Sequence, residues 1–402
     1  MMTANKVDEV VDRLIEWLGT HGFRGYDPYD ALSSPMGAFI DSLSPFLGRV
    51  FIHLLKNAPF NPRPILGIDK DLDAKALGLL AVGHLSIGRM RGDRDLITRG
   101  MNCIGILEGI ATPGYAGRCW GHPFPYRSSR LYLEANEPSV VSTVYAGRAF
   151  LDAYSQDRDQ RHLDVAESAG KFVRDELTRI GYPRGFVISY IPKAALAVHN
   201  ASLLAASFLS RLDYLRGTDE NAPLIEGATF GTLDDQNDDG SWFYDAPTTE
   251  EDRPKLIDNF HTGFVLESLL DIYSHTSRKY LLDPIKRGIE YYQSMFETDG
   301  KPKHTLDRPD PVDLRDCAQA MIVFSKAHRV LGGTSRYLAN TEKVFGWTAT
   351  HMRNSDGSFR FLSWKRYRPR TRYTRFQAWI LCGLASVLQI YQSEASRKDT
   401  DG

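Results

Sequence analysis

The chain has 402 residues, 42% of them hydrophobic and 25% charged, with a formal net charge of −1. That is the balance of a globular chain able to bury a large core, and it lacks the global positive charge of a nucleic-acid binder, so any anion site has to be local. The four cysteines, Cys103, Cys119, Cys317 and Cys382, form no CxxC pair. This argues against a zinc site of ordinary spacing and for reduced, buried thiols rather than a disulfide framework.

The first residues are amphipathic and charged throughout, unlike a secretory signal, and predict an outer helix over 7–18. The longest apolar stretches, such as 76–87, are too short and interrupted to span a bilayer, so a cytoplasmic protein is expected. Apolar, small-residue-rich runs then recur at 72–90, 139–154, 196–215, 260–273, 314–330 and 373–391, their starts roughly 55–65 residues apart. They are apolar nearly all round, which is the pattern of buried helices. Amphipathic segments lie between them at 162–180, 277–296 and 336–352. In the first of these, Leu163, Ala166, Ala169, Phe172, Val173 and Leu177 fall at helical spacing between charged residues.

A turn recurs with nearly the same period, at Asp239-Gly240, Asp299-Gly300 and Asp356-Gly357. Asp-Gly suits a positive φ, and the β-prone residues that follow predict short hairpins. Six buried helices inside amphipathic ones close most simply into a ring, an all-α (α/α)6 toroid over 1–392 followed by a polar, frayed tail at 393–402. An open solenoid would expose an apolar end without a cap.

Four segments, Gly25-Tyr-Asp-Pro-Tyr-Asp30, Asn61-Pro-Arg-Pro64, Asp258-Asn-Phe-His-Thr-Gly-Phe264 and Arg372-Tyr-Thr-Arg-Phe-Gln-Ala-Trp379, resemble the six-hairpin glycosidase superfamily. Within it the chain looks most like bacterial and archaeal polysaccharide-biosynthesis proteins. The resemblance spans nearly the whole chain and implies a carbohydrate-active protein. The chain also has the length of sugar 2-epimerases of this fold. It lacks their paired-histidine motifs, however, since Glu267 follows His261 by six residues rather than three. The Asp-Gly-Ser-Trp turn is shared with terpene cyclases, but no DxDD or DDxxD motif accompanies it.

In such a ring the loops entering the inner helices meet at one mouth, so chemistry is sought at the helix starts. Asp258 opens one inner helix as a cap or as a general acid or base, with His261 one turn in. His199-Asn200 opens the preceding one. Asp27, held extended before Pro28, and Asp30 form either an Asx turn or a substrate clamp contributing to a carboxylate pair. Glycosidic cleavage generally uses two carboxylates, and Asp258, Glu137 and Asp316 are the possible partners of Asp27. Trp120, His122 and Tyr126 form an aromatic loop that either stacks on sugar rings or packs rigidly, whereas Trp242 reads as packing.

Arg368, Arg370 and Arg372 alternate beside Tyr373, and Arg375 follows one helical turn on. An extended segment would give the first three one face suited to carboxylate, sulfate or phosphate. No P-loop, dinucleotide fingerprint, HExxH or nucleophile elbow is present, so neither cofactor nor metal is expected.

The leading expectation is a glycoside hydrolase acting on an anionic glycan in surface-polysaccharide or glycoprotein-glycan assembly, in association with other assembly proteins. A uronate-directed lyase or epimerase, and a non-catalytic glycan-binding assembly factor, are the alternatives.

Overall fold

The computed structural model describes residues 4–246, 256–332, 335–364, 367 and 369–400. The chain opens with α1 (Ala4–His21) and a short helical hairpin, α2 (Pro35–Leu43) and α3 (Pro45–Lys56). Five inner–outer pairs follow. They are α4 (Ala74–Arg91) with α5 (Arg94–Gly109), α6 (Val140–Asp157) with α7 (Gln160–Glu176), α8 (His199–Arg216) with α9 (Ala222–Leu233), α10 (Asn259–Thr276) with α11 (Leu282–Ser294), and α12 (Leu314–Val330) with α13 (Ser335–His351). The last inner helix, α14, spans Thr374–Thr400 and continues into the segment expected to fray.

The helices start and stop where side-chain chemistry directs. Asp73, Ser139, Asp258 and Asp313 cap α4, α6, α10 and α12, each accepting a backbone N–H from the first turn. Gly92, Arg158, Gly217 and Ser277 end α4, α6, α8 and α10 in the left-handed region. Successive inner helices pack side by side, and α14 against α4 closes the circle. The six apolar runs of the sequence are these six inner helices, and the architecture is the (α/α)6 toroid.

One outer helix, α9, carries no strong stripe in the sequence. The small antiparallel sheet of β3 (Arg179–Gly181), β4 (Phe186–Ile191) and β5 (Ala194–Ala197) lies on α9, with Phe186 against Gly227 and Gly231. A helix covered on both sides needs no polar face, so its sequence lacks one. The expected outer helix over 162–180 ends earlier, at Glu176, because the chain turns into β3. Likewise, the 277–296 segment enters its helix only at Leu282, after a 3-10 turn.

The Asp-Gly turns are local hydrogen-bonded loops that dock onto the next outer helix. In the last copy the Asn354 and Gly357 amides bond to the Ser358 and Asn354 carbonyls, and Asp356 Oδ1 accepts from the Ser358 amide. Gly357 has φ 89°, and a Cβ there would fall on the Arg13 carbonyl of α1. This turn therefore fastens the last hairpin to the first. Gly357→Ala combines a forbidden φ with a backbone clash and is expected to cost at least about 2 kcal/mol, read as a lowered denaturation midpoint. A midpoint equal to wild type would show that the seam does not depend on this approach.

Candidate active site

Three segments far apart in sequence meet where the chain's start joins its end. The Tyr26–Asp30 turn is built by its own carboxylates: Asp30 Oδ2 accepts from the Asp27 amide at 2.9 Å, and Asp27 Oδ1 from the Tyr29 amide at 3.0 Å. Arg63, fully buried, donates through Nε to both Asp30 oxygens at 2.8 and 2.9 Å and through Nη2 to the Asp27 carbonyl at 2.7 Å. Its guanidinium lies over the Tyr373 ring at 4.9 Å. Arg375, in the first turn of α14, donates to Asp27 Oδ1 at 3.0 Å and lies 2.9 Å from Oδ2.

Asp27 and Arg375 line a cavity of about 200 Å³ with Asp30, Asp69, Asp71 and Asp73. Two of its carboxyls are pushed in opposite directions. Burial raises Asp27 above the usual carboxylate range, with Arg375 opposing and the charge of Asp73 adding to the rise. Asp73 is equally desolvated, but His122, whose Nδ1 is 2.5 Å from Asp73 Oδ2, outweighs burial and holds it well below that range. Two carboxyls of one cavity shifted in opposite directions, one toward holding a proton and one toward losing it, are the kind of difference that general acid–base chemistry draws on.

The pairing of a buried carboxylate with a more exposed imidazole recurs at two further inner-helix starts. His261 Nδ1 lies 2.6 Å from Asp258 Oδ2, the imidazole 29% exposed and the carboxylate 2%. Burial raises Asp258, but His261 overrides it and brings it down to about 2. His304 Nδ1 lies 3.1 Å from Asp316 Oδ2, with His304 38% exposed. Asp316 is wholly buried, its Oδ1 has no hydrogen-bond partner, and burial pushes it up to about 7. In each pair the carboxylate meets Nδ1 and so orients the ring.

Half-buried Tyr29, Tyr126, Tyr190 and Tyr244 are within electrostatic reach of one another around the same mouth. Tyr29 stands out. Lys56, 3.5 Å from its hydroxyl, lowers its pKa despite burial, and Arg315 and Arg375 add to the effect. Arg315 itself grips Asp313 through two bonds at 3.0 and 2.7 Å. Below the mouth, Lys75 rests over the rings of Trp379, Tyr145 and Phe264 at 4.5, 5.0 and 5.7 Å, and burial drives its pKa far down.

A second cavity, about 560 Å³, lies at the opposite end, where all six inner helices contribute lining residues. Its charges answer one another. Arg148 reaches Glu267 at 3.1 Å and Asp271 at 3.2 Å, Lys326 reaches Asp271 at 2.6 Å, and Arg211 reaches Asp152 at 2.8 Å. This network neutralises charges inside the ring, whereas the mouth keeps its titratable groups poised.

The expected site residues divide. Asp27, Asp30 and Arg375 share the small cavity, and His122 stands behind it through Asp73. His199, Asn200, Asp258 and His261 meet in a second contact filled almost completely by Trp242 and Tyr244. His199 is spent there on Asp235 at 2.9 Å and Thr232 at 3.3 Å. The groups thus gather at one end of the ring but not in one chamber. Glu137 is taken by Lys193 at 3.1 Å rather than joining Asp27. Trp120 is fully buried and donates to the Leu107 carbonyl at 2.8 Å, so it packs the core instead of offering a stacking face. Trp242 packs, as expected.

The arginine segment does not present one face among its described residues. Arg370 is exposed, and Arg372 bonds to Ser358 Oγ at 2.9 Å and the Arg370 carbonyl at 2.6 Å. Tyr373 is buried with its hydroxyl on the Lys56 carbonyl, Arg375 is bound to Asp27, and Arg368 lies outside the described residues. Asp73, Lys75, His304 and Arg315 were not anticipated. Asp73 was discoverable, since it occupies the cap position just before an apolar run.

No protein-family model matches the sequence, and no curated protein matches it. Solved structures do match its fold. A sugar epimerase from a ruminal bacterium superposes with TM-score 0.68 at 11% identity, covering 96% of this chain and 98% of that one. A glycosyl hydrolase family 88 protein from Bacteroides vulgatus gives 0.66 at 10%, covering 97% and 100%. An unsaturated glucuronyl hydrolase specific for heparin gives 0.66 at 11%, covering 97% of each. The chain has the six-hairpin glycosidase-like fold.

The His304–Asp316 pair gives a direct test. The bond to Asp316 raises His304 to about 9 against the opposing effect of burial. The folded pKa of His304 exceeds its unfolded value, so its own contribution is lost as pH rises through about 9; Asp316, raised to about 7, is protonated below that, so the two are charged together only between about 7 and 9. The His304 imidazole is expected to titrate near 9 by NMR, and Asp316→Asn to return it to about 6.5 or below. A normal midpoint in the wild-type protein would refute the pairing.

Proposed function

We propose that the chain is a carbohydrate-active enzyme, a glycoside hydrolase acting at the mouth on a glycan with acidic groups. The observation that carries this reading is the Asp27–Asp73 pair, two carboxyls of one cavity with pKa values driven apart. Asp27 donates a proton to the departing glycosidic oxygen. Asp73, held ionised by His122, acts as the base or nucleophile. The cavity is smaller than the ~300–1,000 Å³ of a drug-sized site, which suits one sugar residue at a chain end. An acidic group fits poorly among Asp69, Asp71 and Asp73 and better toward Lys56 and Arg315. The heparin specificity of one structural neighbour is consistent with that preference. A role in surface-polysaccharide or glycoprotein-glycan assembly in the cytoplasm, alongside other assembly proteins, follows from the sequence resemblance.

A second reading, a uronate-directed lyase or epimerase, is favoured by a different observation. The exposed imidazoles of His261 and His304 and the cation-flanked Tyr29 phenol are groups able to move a proton next to a carboxylate. Product mass separates the readings. Hydrolysis adds water, elimination leaves a double bond with its ultraviolet absorbance, and epimerisation changes neither.

With acidic oligosaccharides as substrates, Asp27→Asn and Asp73→Asn are each expected to lower kcat about 10²–10⁴-fold while thermal melting confirms folding. Full activity in both, with loss in His261→Ala and His304→Ala, would transfer the chemistry to the imidazoles.

A further inference from the structure

The α2–α3 hairpin is not one of the ring's inner–outer pairs, yet it is firmly held. Arg127 clasps Asp41 at 2.5 and 2.7 Å, and the Lys56 carbonyl accepts from the Tyr373 hydroxyl at 3.1 Å. A small core of Ala31, Leu32, Ile52, Leu55 and Ile68 fills its inner side. Both helices start at a Ser cap followed by Pro, so their boundaries are well defined.

Its outer side is the reverse of an ordinary surface. On α2, Met36, Phe39 and Leu43 fall at i, i+3 and i+7, and all are exposed, Phe39 by 62% and Leu43 by 63%. On α3, Phe46, Leu47, Val50 and Leu54 form a second exposed stripe, with Leu54 at 66%. These are helical apolar stripes of the kind that face a core, but they face outward. Of the fifteen exposed large hydrophobic residues among those described, nine fall between positions 36 and 65. A patch this concentrated marks a contact with an apolar phase.

Charge decides which. The only carboxylate between residues 31 and 68 is Asp41, and Arg127 consumes it. Arg49, His53 and Lys56 lie on or beside the patch, and none pairs with a carboxylate among the described residues. A second copy seated here would bring like charges together with no carboxylate to answer them. An anionic lipid surface supplies both an apolar phase for Phe and Leu and phosphates for the cations.

We propose that the α2–α3 hairpin is an interfacial membrane anchor, lying in the headgroup region of an anionic bilayer with its two apolar stripes in the acyl boundary. No helix among the described residues is long and apolar enough to cross a membrane, so the contact is with one leaflet. A cleft of about 960 Å³ runs beside the anchor from Phe46 and Leu54 to Tyr29 and Tyr126 of the mouth. The mouth would then face the lipid surface, whichever reaction it performs.

The test uses the full chain with vesicles of phosphatidylcholine alone or mixed with phosphatidylglycerol, read by co-sedimentation. Binding to the anionic vesicles is expected to exceed binding to the neutral ones by about tenfold and to weaken with salt. The combined variant Phe39→Ser, Leu43→Ser, Leu54→Ser should lose it while keeping the wild-type melting point, since all three side chains are exposed. Arg49→Glu should reduce only the anionic preference. Equal sedimentation of wild type and the triple variant would overturn the anchor. So would a wild-type dimer by light scattering that the triple variant converts to monomer without any vesicle binding by either protein, which would assign the patch to a second copy.

Discussion

The hydrogen bond from the Arg375 guanidinium to the Asp27 carboxyl joins positions 348 residues apart, and the site is organised around it. A ring of helices has a seam wherever its chain begins and ends, and this seam is closed by buried polar contacts as well as by α14 packing on α4. Arg63 binds the Asp27 backbone and the Asp30 carboxylate together, with Tyr373 across its face. Removing one partner from such a buried set strands a charge and is strongly destabilising, on the order of 3–5 kcal/mol. The site therefore forms only when the ring closes, which couples folding to function.

The two ends of the ring use charge differently. Inside the ring, from the middle of the helices toward their C-termini, Arg148 and Lys326 satisfy Glu267 and Asp271 within hydrogen-bonding distance. At the N-termini, carboxylates outnumber the cations that reach them, and burial and partners shift each one separately. Asp258 is pulled down by His261, Asp316 rises with burial, and Asp27 rises although Arg375 is adjacent. Desolvation at such a site is costly, and the aspartate caps offset part of it because the helix N-termini favour negative charge. Capping and proton transfer are thus compatible at Asp73 and Asp258: one oxygen holds the helix and the other meets an imidazole.

The Asp-Gly turns show how a structural repeat and a site share residues. Each sets the direction in which the chain re-enters the ring. The turn at Asp299-Gly300 also delivers His304 to Asp316 on the next inner helix. The turn at Asp239-Gly240 delivers Trp242 into the core and Tyr244 onto His261, ring centres 4.2 Å apart. Repetition of the scaffold therefore places different side chains at equivalent positions around the mouth.

By itself the sequence determined the toroid, because period and amphipathicity are local properties. Six runs apolar on every side can only be buried, and the charge-rich runs between them can only lie outside. It also singled out Asp27, Asp258, His261, Asp316 and Arg375, since each falls at a helix start or in a turn before one. Tertiary structure decided their partners. Alternation suggested that the arginines act together, but Arg372 turns to Ser358 and Arg375 to Asp27, contacts that depend on the path of distant segments. Glu137 and Trp120 had the right chemistry in the right loop, yet Lys193 and the Leu107 carbonyl claim them. His304 became visible only when the ring brought Asp316 to it, and the lowered pKa of Asp73 only when His122 met it, because a pKa is set by neighbours in space and spacing along the chain does not encode those neighbours.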